Sequence, residues 1–550
     1  MRSAWPTKRF EELGLTPPQR RQELPIPAQD VASALDVALK STPQQSALVG
    51  RHARLTYAAL EAEANAGAAY LQSLGVRAGD RVAATAANHT DLAVAFLAVQ
   101  RLGAIWVGIN RNYAPPEKRF MLDDSGAKIY FTNPETVAAL TQLEPKVDAQ
   151  LVSLAPGSDT CAWRAGVTAH LGAQRPTADI DPWAPSAIAY TSGTTGFPKG
   201  VVHSQHSIVL AAHVSLLRSK GYEAGVVIGT ALPMSILNLM TLGPVAAWLA
   251  GATHVSMDRI DAEGVAEWLQ AEPITHLALV PSIVQDLLTN PNISPDVLSR
   301  IRHLVAGAAV VPEGLPALYA ARFGKPMTVG YGLTESPTGV CSANADTPAV
   351  QGAIGVALPH LEVTIRNESN DETDRGAPGE ICFRATSEGS LAHCYSGPLG
   401  YWGKAEATAK LLKGGWVHTG DVGHMDDNGQ VFIHDRRSDL IIRGGANIYP
   451  AEVERVLRMD ARVRDCAIIG RKDVRLGETV VAFVEPFAGA DADALVADLK
   501  ALCAAQIATF KIPNEWLVLD ALPRNAMGKV LKPALRAQLD TISPISKPTS

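Results

Sequence analysis

The stretch Tyr190-Thr191-Ser192-Gly193-Thr194-Thr195-Gly196-Phe197-Pro198-Lys199-Gly200 holds three glycines, four Ser or Thr hydroxyls and one lysine in eleven residues. Glycines let a loop take positive φ and bring backbone N–H groups close to an anion. The hydroxyls add donors, and Lys199 adds a charge on a long stem. This is the chemistry of a phosphate cradle. It is not a Walker A loop, in which lysine follows glycine and precedes Ser or Thr; here Phe197 and Pro198 precede Lys199, and Gly200 follows it. Read alone, the run also fits a Gly/Thr-rich surface loop.

Around it lie 550 residues, 47% hydrophobic and 19% charged, which implies more than one globular domain. A net charge of -6 gives no basis for nucleic-acid binding. Six scattered cysteines without a CxxC pair indicate neither a zinc site nor a disulfide framework. Residues 1–21 lack the apolar core of a signal peptide, no apolar run is long enough to span a bilayer, and the last four residues match no common lipidation signal. A cytoplasmic location is the expectation.

From Leu55 onward the pattern alternates. Leu60, Ala64, Leu71 and Leu74 share a helical stripe ended by Gly75; 81–86 reads as a strand, 91–102 as a helix and 104–109 as another strand. The alternation resumes after the glycine-rich run, with strands at 226–232 and 276–280 and helices at 262–270 and 282–288. Alternation of this kind predicts an α/β fold with parallel strands covered by helices. Between 351 and 434 short apolar runs separated by Gly, Pro, Asn and Asp suggest a small β-barrel-like subdomain. After Ser438 the order helix, strand, strand, helix, strand predicts a small α+β module.

Five further strings carry chemistry. Gly307-Ala308-Ala309 is a turn small enough to admit a flat group. Tyr331-Gly332-Leu333-Thr334-Glu335 sets a hydroxyl and a carboxylate side by side, as magnesium and phosphate require. Trp416-Val417-His418-Thr419-Gly420-Asp421 offers a carboxylate able to accept two hydrogen bonds from paired hydroxyls. Arg443-Gly444-Gly445-Ala446-Asn447 and Pro523-Arg524-Asn525-Ala526-Met527-Gly528-Lys529 are glycine turns, the second bearing a lysine. Each alone is compatible with a solvated turn.

Together with the opening stretch, and in this order, they closely resemble the signature of the adenylate-forming superfamily, in its acyl-CoA synthetase branch. The resemblance covers residues 31 to about 537. It implies a large N-terminal AMP-binding domain of stacked α/β sheets (31–437, including 351–434) and a mobile C-terminal α+β domain (438–550). Residues 1–30 are expected as a loosely attached arm.

The resemblance also implies roles. Thr191, Ser192, Gly193, Thr194, Thr195, Gly196 and Lys199 take the phosphates, and Gly307, Ala308, Ala309, Tyr331 and Gly332 take the adenine side. Thr334 contacts the α-phosphate, Glu335 holds Mg²⁺, Asp421 and Arg436 hold the ribose, and Lys529 is the catalytic lysine. Ser438 occupies the hinge, where most relatives carry Asp or Lys. Gly444, Gly445 and Asn447 line the CoA channel. The acyl pocket falls to Ser235, Ile236, Asn238, Gly307, Gly330 and Pro337. Many members have an aromatic residue and a histidine where this chain has Ser235 and Ile236.

The implied reaction joins a carboxylic acid to ATP with release of pyrophosphate, then transfers the acyl group to CoA with release of AMP. The pocket segment 232–240 contains no Asp to pair with an α-amino group, so an apolar acid is expected: aromatic, alicyclic or medium-chain. A basic set on the small domain (Arg443, Arg471, Lys472, Arg475) could meet CoA phosphates or form a solvated face. Transfer to a carrier-protein phosphopantetheine, a luciferase-like reaction with oxygen and a non-catalytic nucleotide-binding relative are the alternatives. A homodimer is compatible with this reading.

Overall fold

The computed structural model describes all residues except 1–4, 19–21, 112, 143–145, 159, 192–197, 295, 308–310, 312–313, 338, 344–349, 351–352, 437–440, 449, 488–490, 524–529, 531 and 542–550; for 434–436, 447, 451, 533 and 540–541 it describes the backbone alone. The chain forms two compact units. One comprises Met1–Arg111, Lys118–Thr191 and Lys199–Asp435; the other comprises Asn112–Glu117, Ser192–Pro198 and Arg436–Ser550. Ser438, expected at the hinge, lies outside the described residues.

Two sheets organise the large unit. Among the described residues the first has seven strands, in the order Gly400–Tyr401, Lys199–Ser204, Pro185–Thr191, Ile105–Gly108, Arg81–Ala84, Ile129–Thr132 and Gln150–Ser153. Its interior pairs are parallel, while Pro185–Thr191 and Lys199–Ser204 form an antiparallel hairpin. Ile129–Thr132 is buried throughout, as strands covered on both faces require.

The second sheet has thirteen strands among the described residues. Its parallel part includes Ser46–Val49, Thr253–Ser256, Val227–Thr230, His276–Leu279, His303–Ala306 and Thr328–Gly332. Ser46–Val49 also pairs antiparallel with the nearby Arg54–Thr56. The span expected to be β-barrel-like supplies the antiparallel end, and it is continuous with the parallel part through the pairing of Thr328–Gly332 with Gly339–Ser342. The helix Thr90–Arg101 is buried at every residue, as its apolar run predicts. Its charged ends are paired: Asp91 with Arg164, which also bonds Glu63 at 2.7 Å, and Arg101 with Glu61. Burying these charges without partners would cost several kcal/mol each, on the order of the usual ion desolvation penalty.

The N-terminal segment corrects an expectation. Its described residues are not loosely attached. A helix over Thr7–Glu12 buries Phe10 completely, and Leu15 and Leu24 are buried as well. Backbone bonds tie the segment down, Thr16 N–H to Leu399 O and Gly403 N–H to Leu13 O. Proline and charge composition suggested an arm; three well-spaced apolar residues were enough to anchor it.

In the small unit, Val463–Asp473 and Gly477–Pro486 form a long antiparallel ladder, with Glu515–Val518 parallel to the second strand. The helices Pro450–Leu457 and Ala492–Gln506 pack on it through Val453, Val456, Leu457, Leu495 and Leu499, and Asp491 caps the second helix through the N–H groups of Asp493 and Ala494. No helix among the described residues is long and apolar enough to cross a membrane.

Candidate functional site

The glycine-rich run is mounted on a hairpin. Thr191 pairs with Lys199 and Tyr190 with Gly200, so the two strands fix both ends of the intervening loop. Residues 192–197 themselves lie outside the described residues. A Cβ at Gly200 would sit 2.5 Å from Ile188 Cγ2, which accounts for glycine there. Tyr190 Oη donates to Asp124 Oδ2 at 2.7 Å; burial, and then the Asp124 charge, push its pKa well above the ordinary tyrosine value.

Lys199 Nζ lies 5.3 Å from the centre of the Tyr401 ring, and Tyr401 Oη donates to Glu335 Oε1 at 2.7 Å. Burial lowers the Lys199 pKa, and the Glu335 charge opposes that shift. Lys199 and Tyr401 belong to the seven-stranded sheet, whereas Glu335 follows the strand Thr328–Gly332 of the larger one. The two sheets therefore bring ammonium, phenol and carboxylate to one place. A second bridge lies beside it. His203, fully buried, has Nε2 2.7 Å from Thr334 O; because a carbonyl only accepts, Nε2 carries the hydrogen. Burial pushes the His203 pKa down to about 4, so the ring is neutral at physiological pH.

Asp421 stands on a bulge. In the pairing of Gly379–Ala385 with Val417–Met425, Glu380 faces Val422 but Cys382 faces His418, so 419–421 are pushed out of the ladder. Gly420 takes φ +75°, a conformation that favours glycine. The bulge is bonded at each residue. Thr419 Oγ1 donates to Ile381 O at 2.7 Å, Gly420 N–H to Glu380 Oε1 at 2.8 Å, and Asp421 N–H to Thr419 Oγ1 at 3.0 Å. Tyr331 Oη donates to Asp421 Oδ2 at 2.5 Å, joining two of the sequence strings; both residues are buried. Arg436 ends the strand Val431–Arg436, and its side chain is not among those described.

Of the residues expected at the acyl pocket, Gly307 and Gly330 are neighbours: a Cβ on Gly307 would come within 3.3 Å of Gly330 O. Ala308 and Ala309 lie outside the described residues, and Pro337 is buried. Ser235 is buried, its Oγ without a partner among the described residues, while Ile236 is 40% exposed and Asn238 half-buried. The segment is held by Asn88, a residue that motif reading does not reach. Its Oδ1 accepts from Met234 N–H at 2.8 Å, and its Nδ2 lies 3.1, 3.3 and 2.9 Å from the carbonyls of Thr230, Ala231 and Leu232.

In the small unit, Gly444 (φ +55°) and Gly445 (φ +81°) form the two-residue turn between Ile441–Arg443 and Ala446–Ile448. Two successive positive φ values are what a tight hairpin of this twist demands, and they explain the glycine pair without reference to a ligand. Arg443 donates to Phe510 O at 2.6 Å and Arg471 to Glu515 at 2.6 Å, so two of the basic set have internal partners. The Asn447 side chain and all of Lys529 lie outside the described residues. Motif reading also missed His203, Tyr401 and Glu380. Each reaches a motif residue from a distant part of the chain.

Comparison with known proteins agrees with this geometry. The family model described as AMP-binding enzyme matches residues 35–395, and that of the AMP-binding enzyme C-terminal domain matches 452–529. An indoleacetate–CoA ligase of Aromatoleum aromaticum is 33% identical, covering 88% of this chain and 92% of its own. A fatty acid–[acyl-carrier-protein] ligase of Streptomyces coeruleorubidus is 30% identical over 90% and 93%. Among solved structures, a double mutant of the o-succinylbenzoate CoA synthetase of Bacillus subtilis, bound to a product analogue, superposes with a TM-score of 0.80 at 26% identity, covering 93% and 98%. With its two sheets meeting at Lys199 and Glu335 and both parts of the chain matched, the protein belongs to the AMP-binding enzyme family, in the AMP-forming acid–CoA ligase branch.

Proposed function

We propose that this chain activates an apolar carboxylic acid as its acyl-adenylate and then passes the acyl group to CoA. In the first step a carboxylate oxygen attacks the α-phosphorus of ATP and the bond to pyrophosphate breaks. In the second the thiol sulfur attacks the acyl carbon and AMP leaves. The observation that carries the reading is the convergence of Lys199, Tyr401 and Glu335 from two sheets beside the hairpin that mounts the glycine-rich loop.

Glu335 presents a carboxylate, a hard oxygen donor suited to Mg²⁺. Bound there, the ion would neutralise phosphate charge. Lys199, Thr191 and residues 192–196 position the phosphates, Thr334 the α-phosphate, and Asp421 and Arg436 the ribose; Tyr331 orients Asp421 and borders the adenine side. Lys529 stabilises charge that develops during adenylation, and Gly444, Gly445 and Asn447 border the path of the thiol arm. Such groups act by position and fixed charge.

Support for an apolar acid comes from the segment 232–240, which has no acidic residue, and from the exposed Ile236 beside the buried Ser235. The test is release of pyrophosphate and AMP over a panel of benzoates, cinnamates, cyclohexane carboxylates and straight-chain acids, with and without CoA. Turnover requiring one acid class and CoA is the expected result. Pyrophosphate release without CoA-dependent AMP release would replace CoA by a carrier protein. ATP binding without turnover on any acid would overturn the ligase reading.

A further inference from the structure

The bulge that carries Asp421 also gathers three side chains that the proposed reaction does not use. By displacing 419–421, it places His418 opposite Cys382 and within reach of Glu380. His418 Nδ1 lies 3.0 Å from Glu380 Oε2 and 3.3 Å from Cys382 Sγ, and the three atoms all lie within 4.8 Å of one another. The other ring nitrogen, Nε2, is 3.2 Å from Lys413 O. That carbonyl can only accept, so Nε2 holds a hydrogen, and Nδ1 is the ring atom turned toward carboxylate and sulfur. An imidazole fixed in this way through a backbone carbonyl is how metal-binding histidines are commonly oriented.

The two distances to Nδ1 are close to those of a tetrahedral ion. Bond lengths of about 2.0 Å to N and O and about 2.3 Å to S place the ligand atoms roughly 3.3–3.6 Å apart. The two distances to Nδ1 fall within about 0.3 Å of those edges. Cys382 is buried, but the side chains of His418 and Glu380 keep 11% and 15% exposure, leaving the cluster reachable from water.

We propose that Glu380, Cys382 and His418 form a binding site for a Zn²⁺-like divalent transition metal, with water as the fourth ligand. On binding, the Cys382 thiol hydrogen and any hydrogen on His418 Nδ1 are released to solvent as protons, the sulfur and Nδ1 each form a bond to the metal, and Glu380 Oε2 supplies the third bond. The thiolate and carboxylate together balance the charge of the ion. Glu380 Oε1 stays on Gly420 N–H, so the metal braces the turn that presents Asp421. The site stands independently of the ligase reading. Its effect on nucleotide affinity rests on that reading, through the role given to Asp421.

The test is titration of the full chain with Co²⁺ alone, followed by the thiolate-to-cobalt charge-transfer absorption, with Zn²⁺ then used as competitor. The expected result is a band saturating near one equivalent, displaced by Zn²⁺, absent in Cys382→Ser and requiring at least about tenfold more cobalt in His418→Gln. No band in the wild-type chain, or one that survives Cys382→Ser, would overturn the site. Because the titration contains no ATP, acid or CoA, its failure leaves the ligase reading standing, and a chain inactive on every acid can still show the band. A second titration, ATP with and without Zn²⁺, tests the brace. Zn²⁺ should alter ATP affinity in the wild type but not in Cys382→Ser; identical curves in the wild type would refute the coupling.

Discussion

Gly108→Ala gives the sharpest test of where the acid binds. Gly108 ends the strand Ile105–Gly108, and a Cβ there would sit 1.9 Å from the carbonyl oxygen of Ser235. Real Cβ atoms essentially never come closer than 3.0 Å to such a neighbour, so the two backbones must separate by at least about 1.1 Å. The strand cannot be the part that moves easily, because Gly108 pairs with Ala84 on one side and Ala189 on the other. The Ser235 segment must therefore shift, although Asn88 holds it through Met234 and three carbonyls. Overpacking of this kind costs about 1–3 kcal/mol of stability, and a misplacement of about 1 Å at a reacting centre can cost on the order of a hundredfold in rate. Steady-state pyrophosphate release, varying acid and ATP separately, is the assay. The acid kcat/KM should fall by at least about tenfold while the ATP KM stays within about twofold. A variant with native Tm and unchanged acid kinetics would show that the segment does not border the acid. An equal change in both KM values would show that its influence is not specific to the acid.

Other perturbations follow from single contacts. Tyr331→Phe removes the donor at 2.5 Å from Asp421, and a hydrogen bond to a charged group is worth about 1.5–3 kcal/mol; ATP affinity should fall roughly ten- to a hundredfold, and an unchanged dissociation constant would refute the link. Tyr401→Phe keeps the ring beside Lys199 but deletes the bond to Glu335, so the Mg²⁺ concentration for half-maximal activity should rise about tenfold or more; no rise would exclude Glu335 as the metal ligand that Tyr401 orients. Lys529→Ala should slow adenylation at least about a hundredfold while sparing thioester formation from supplied acyl-adenylate, and equal damage to both steps would contradict the division of labour. Acid should weaken the fold between pH 6.5 and about 4, because burial holds His203, His206 and His303 down to about 4. In that window the unfolded chain binds protons that the folded one refuses, so stability rises with pH and is lost on acidification, at about 1.4 kcal/mol per pH unit for each ring. His203→Gln, read by urea unfolding across this range, should flatten the slope by one proton; an unaltered slope would remove His203 from the account.

Much of this was legible because it is local. The stripe Leu60, Ala64 and Leu71 and the stop at Gly75 gave the helix Tyr57–Ser73, and the apolar run after Thr90 gave a helix buried on every side. Motif strings gave Lys199, Glu335, Tyr331 and Asp421. The partners that orient them were not legible. Tyr401 reaches Glu335 across 66 residues, His203 reaches Thr334 across 131, and Asn88 reaches Met234 across 146. Such pairs leave no periodic trace, because the chain between them is free to vary in length and composition. The bulge at 419–421 escaped for another reason. It is defined by how two strands pair, which neither strand's own sequence states. Even the Gly444-Gly445 pair, found by resemblance, has its simplest cause in the hairpin's twist.

The order in which the large sheet is assembled has a consequence for biosynthesis. Ser46–Val49 can pair at once with Arg54–Thr56, but its other edge is completed only by Thr253–Ser256, about two hundred residues later. At roughly 5–20 residues per second, a ribosome needs about 10–40 s to supply that strand. Throughout this interval the nascent chain carries an apolar β-edge with no neighbour. The strands between Arg81 and Ser153 can pair with one another as they emerge, but this edge of the larger sheet waits, and chaperone supply during translation should set the soluble yield more than the stability of the finished enzyme does.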